Sequence, residues 1–164
     1  MRSGFLSVCH WLDRITTWIC ATACVVLAGA VLGTVILRFG FDTGFVRLQN
    51  LAGYAFAVSM ILSLPFCLRR GGHVRVEVLS ERMPAGYVRA VDMAALVLFL
   101  IPVFGLMVWA WLPDLAYSWK ILEGAIETGG LGGVFLVKTM LPFAGVLMIL
   151  QGIAVLLDPR LVTQ

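Results

Sequence analysis

Acidic residues are missing from every long apolar stretch of this chain, and that absence removes many functional classes. The 164 residues include nine Asp and Glu, two His and four Cys. The runs 15–37, 48–68, 93–112 and 134–157 hold no Asp or Glu and, apart from Lys138, no charge at all. Catalysis needs titratable groups gathered in a shaped site, and an ion pathway needs ionisable residues within the membrane, broken helices or internal repeats. The runs supply at most Gln49, Asn50, Lys138 and Gln151. His10 and His73 both lie outside them, so no pair of histidines can hold a haem between two helices. There is no Gly-rich phosphate loop, no Cys/His metal spacing and no nucleophile elbow. Cys9, Cys20, Cys24 and Cys67 form no C-x-x-C pair and read as small hydrophobes. Charged residues make up 13% of the chain and the formal net charge is only +3, which argues against a nucleic-acid partner. No catalytic, cofactor-binding or metal-binding residue is expected.

Hydrophobic residues, in contrast, reach 61% and the mean hydropathy is +1.00, more than a soluble domain of this size can bury. The four runs are 23, 21, 20 and 24 residues long, and about 20 suffice to cross the hydrocarbon layer. The sequence therefore predicts an all-α membrane protein, one membrane domain over 1–164, with four transmembrane helices and short interfacial amphipathic helices. Ala28-Gly29-Ala30 resembles a signal-peptidase site, but apolar residues continue through Leu37, so an uncleaved signal anchor is expected. Gly29 and Gly33 form a G-x-x-x-G pair, and Gly53 and Ala57 give the second run a small face; these four are the helix-packing candidates. Pro102 inside the third run predicts a kink. Trp109 and Trp111, with Tyr117 and Trp119 beyond, suit an aromatic belt.

Two connections carry the polar residues. Residues 69–92 form a basic, glycine-broken hinge, with Val74, Val78 and Leu79 on one face of a short amphipathic segment that stops at Pro84. In 113–133 the spacing of Leu115, Trp119, Leu122 and Ile126 predicts a second amphipathic helix resting on the membrane surface, ended by the glycines at 129–133. Lys138, just inside the fourth run, can extend its ammonium back to the headgroups. With the amino terminus inside, the inner segments hold eight of the twelve Lys and Arg, including Arg69, Arg70, Arg75, Arg82 and Arg89. The positive-inside rule thus predicts cytoplasmic termini, a cytoplasmic hinge and a periplasmic 113–133 connection. The arginines also suit anionic phospholipid or a protein partner. For His73 a contact role is weighed against a pH sensor.

The stretch Leu68-Arg69-Arg70-Gly71-Gly72-His73-Val74-Arg75-Val76-Glu77 followed by Pro84, then Ser118-Trp119, Gly129-Gly130-Leu131, Lys138, Pro142 and Gln151-Gly152, resembles the small, four-helix membrane subunit of tripartite ATP-independent periplasmic (TRAP) transporters. The likeness covers nearly the whole chain. It departs from the family pattern at Gln49-Asn50, where acidic residues are common, at Glu77, often Asp, and at Gly132, often proline. The resemblance implies a bacterial inner-membrane scaffold for an elevator-type transporter of an organic acid. Its implied partners are a large multi-helix permease subunit, which carries the sodium coupling and the substrate site, and a periplasmic substrate-binding protein. Arg69, Arg70, Gly71, Gly72, His73, Arg75 and Glu77 are the family motif and the expected partner or lipid contacts. The alternatives are a small self-assembling channel, an anchor for a redox enzyme, or the accessory subunit of a tripartite tricarboxylate transporter.

Overall fold

The computed structural model describes residues 2–69 and 84–157. Four long helices account for nearly all of them: α1 Arg2–Gly40, α2 Val46–Arg69, α3, a continuous rod built from Ala85–Ala95, a π turn Leu96–Leu100 and Ile101–Ile121, and α4 Val134–Leu157. Each contains a stretch long and apolar enough to cross a membrane. Among the described residues there is no strand, only an isolated bridge between Gly124 and Gly132. The hinge residues Arg70, Gly71, Gly72, His73, Arg75 and Glu77, and the amphipathic segment expected there, lie outside the described residues; Arg69 closes α2.

The helices stand in a row. α1 packs on α2, α2 on α4, and α4 on α3, while α1 and α3 share no packed interface. None of the most apolar window of α3 is buried inside the chain, against 33% of that of α4, which places α4 within the row and α3 at its edge. Threonines keep their hydroxyls satisfied inside these apolar helices by donating back one turn: Thr16 to Leu12 O, Thr22 to Trp18 O and Thr34 to Ala30 O, at 2.7–2.8 Å.

Close helix contact needs small residues, because between apolar helices in lipid the gain comes from packing. On α1 these are Cys9, Thr16, Ala23 and Ala30, all buried and each seven residues from the next. A seven-residue repeat keeps one face turned to its neighbour as two helices wrap left-handedly. On the facing side α2 buries Ala55, Ser59 and Leu62, and Cys20 Sγ lies 3.7 Å from Ser59 O. On α4 the corresponding residues are Gly145 and Gly152, again seven apart. A Cβ at Gly145 would stand 2.8 Å from Val108 Cγ2, and one at Gly152 2.8 Å from Leu96 Cδ1, so a side chain at either would force its neighbours on α3 to shift. The four packing candidates divide differently. A Cβ at Gly33 would meet Leu48 at 3.4 Å, Ala57 is half-buried, and Gly29 and Gly53 face open space within this chain.

The π turn has a local cause. Pro102 offers no N–H to Leu98 O, and its ring would crowd that carbonyl in a regular α-helix. The helix widens by a turn just before it, and Ile101 N–H reaches back to Leu96 O. The expected kink at Pro102 is therefore a π turn.

Helix ends differ from the apolar runs. α1 begins at Arg2, well before Ile15, and α3 continues through Pro113 to Ile121. The separate amphipathic helix expected in 113–133 is corrected accordingly: its first part is the last turns of α3, and the remainder is a loop. Leu122 sits in the left-handed region (φ 49°), where Glu123 N–H donates to Ser118 O at 3.0 Å and Leu122 N–H to Trp119 O at 3.4 Å, the paired bonds of a Schellman C-cap. The chain leaves the helix there, so Leu122 and Ile126 never share a helical face.

Candidate functional site: a polar clasp across three helices

The start of α2, the end of α3 and the start of α4 meet at one end of the row, and most described polar contacts between distant residues are gathered there. Lys138 on α4 bonds Glu123 Oε2 at 2.8 Å and Asp114 Oδ2 at 3.0 Å. Ser118 Oγ donates to the same Glu123 oxygen. Those two hydrogen bonds, from Lys138 and then Ser118, hold the Glu123 carboxyl below its ordinary value of 4.5. Lys138 therefore does more than snorkel: topology brings it two carboxylates that lie 24 and 15 residues away in sequence.

Aromatic side chains extend the same contact along α3 and α4. Trp111 Nε1 donates to Lys138 O at 3.3 Å, and Trp119 Nε1 to Thr139 Oγ1 at 3.0 Å. Trp119 also meets Phe135 edge to face, with ring centroids 4.7 Å apart. Two of the tryptophans expected as belt residues thus hydrogen-bond helix to helix, while Trp109 faces outward.

Loop 122–133 crosses from α3 to α2 and returns to α4. Tyr54 Oη donates to Leu131 O at 2.7 Å. The Asn50 amide, with oxygen and nitrogen set by its neighbours, donates to Glu127 Oε2 at 2.9 Å and accepts from Leu131 N–H at 3.2 Å. Within the loop, Ala125 N–H donates to Leu131 O at 3.1 Å and Gly130 N–H to Glu127 O at 2.9 Å. Glycine is required at 130, where a Cβ would come within 2.6 Å of Ala125 Cβ and 2.8 Å of the Asn50 amide. Gly129 and Gly133 adopt positive φ (81° and 103°). Asn50 stands where the family resemblance leads one to expect an acid. A carboxylate there would face Glu127 and could not donate to it, so amide and acid build different contacts at this position.

One polar group stays apart from the clasp. Gln151 on α4 is 2% exposed, and neither polar atom of its amide has a hydrogen-bond partner among the described residues. No group of three or more His, Cys, Asp or Glu able to hold a metal exists among the described residues. The clasp chemistry is that of fixed charge pairs and backbone-directed hydrogen bonds. It holds the helices in register and presents Leu122, Ile126 and Glu127 to the surroundings.

The sequence motif and the clasp overlap only in part. Of the residues carrying the family resemblance, Ser118, Trp119, Gly130, Leu131 and Lys138 come together here, and Gly152 packs against α3. Asn50, Tyr54, Asp114, Glu123 and Glu127 belong to no sequence motif, and nothing in their spacing joins them.

Residues 27–160 match the family of tripartite ATP-independent periplasmic transporters, DctQ component. No curated protein matches the chain.

Proposed function

The chain belongs to the DctQ-component family of TRAP transporters, a multi-pass inner-membrane subunit, and from that premise we propose that it is the stationary scaffold of a sodium-coupled transporter for an organic acid. The match over 27–160 carries the reading. The open row supports it: a layer of helices with both faces uncovered is suited to widening another membrane protein, and its four apolar runs, 15–37, 48–68, 93–112 and 134–157, hold no carboxylate with which to bind an ion. Sodium and substrate are handled by the large permease subunit, and a soluble periplasmic protein delivers the substrate. The clasp end faces the periplasm, with both termini and the basic 69–92 hinge in the cytoplasm. There the arginines meet anionic headgroups and the large subunit.

Uptake in proteoliposomes tests this. Sodium-driven accumulation of an organic acid is expected only when this chain, the large subunit and the binding protein are all present. Conductance by this chain alone, as a homo-oligomer, would overturn the scaffold reading in favour of a small channel.

A further inference from the structure

We draw no further inference here: the strongest candidate, the buried amide of Gln151 toward the carboxy-terminal end of α4, carries nothing, because it is a lone polar side chain and nothing among the described residues shows what would pair with it.

Discussion

The pair α1–α2 and the pair α4–α3 are both close-packed helix pairs, but they are built differently. α1 meets α2 through small side chains at every seventh residue and one thiol contact, with no described ion pair between them. α4 meets α3 through two glycines where a Cβ would crowd Val108 and Leu96, and the contact is then fastened at one end by Lys138, Trp111 and Trp119. The reason lies in α3. It carries Pro102, a π turn and Pro113, each of which removes or diverts a helical hydrogen bond. An interrupted helix offers a less regular face, and the polar clasp restores the register that regular packing supplies on the other side. An uninterrupted α1 needs no such fastening, and its free face stays available.

That contrast is open to direct attack, most strongly at the glycines. Gly145→Leu should destabilise the isolated chain by about 1–3 kcal/mol, because the new side chain is driven into Val108, Met107 and Phe104 on α3. The same change at Gly53, where space is open, should leave the thermal midpoint in detergent almost unmoved. Equal losses at both positions would mean that α4–α3 packing is no tighter than the rest.

Gln151 offers a change of the opposite sign. Replacing its buried, unpaired amide with methionine of similar length should raise stability by about 1 kcal/mol, read as a higher denaturation midpoint. A lower midpoint would show that the amide is bonded in the folded protein.

Leu122 tests the clasp through its backbone. A left-handed residue with a side chain costs roughly 1–2 kcal/mol, so Leu122→Gly should be tolerated or mildly stabilising. Leu122→Val should loosen the loop, and faster proteolysis within 122–133 would report it.

The smallest effect expected is on pH. The Glu123 carboxyl is held below its ordinary value of 4.5 in the folded chain, so its contribution is complete above 4.5 and is lost as pH falls through the lower folded value. The midpoint difference between the native chain and Glu123→Gln should therefore be constant near neutrality and vanish in acid. A difference that persists into strong acid would assign the stabilisation elsewhere.

How much of this was legible in the sequence depended on range. Four apolar runs of about twenty residues, charged only at Lys138, identify spans by length alone, and the structure places helices on all four. Helix ends were less legible, because the Ser7–Arg14 segment and the turns after Pro113 are amphipathic continuations with no apolar run to mark them. The packing row within the chain is written in no single residue type: Gly29 and Gly33, four apart, are the visible pair, while the buried row of α1 is seven apart and runs through Cys9, Thr16, Ala23 and Ala30. The clasp was the least legible. Asn50, Glu123, Glu127 and Lys138 come together only because the row order puts α4 between α2 and α3, and that order is a property of the folded chain.

The central claim, that this open row is completed by a larger membrane protein, is tested most directly by the native mass of the chain extracted in mild detergent from membranes containing both subunits. The account predicts a single complex holding this chain and one much larger multi-spanning subunit. A homo-oligomer of this chain, with the larger protein absent from it, would contradict the account.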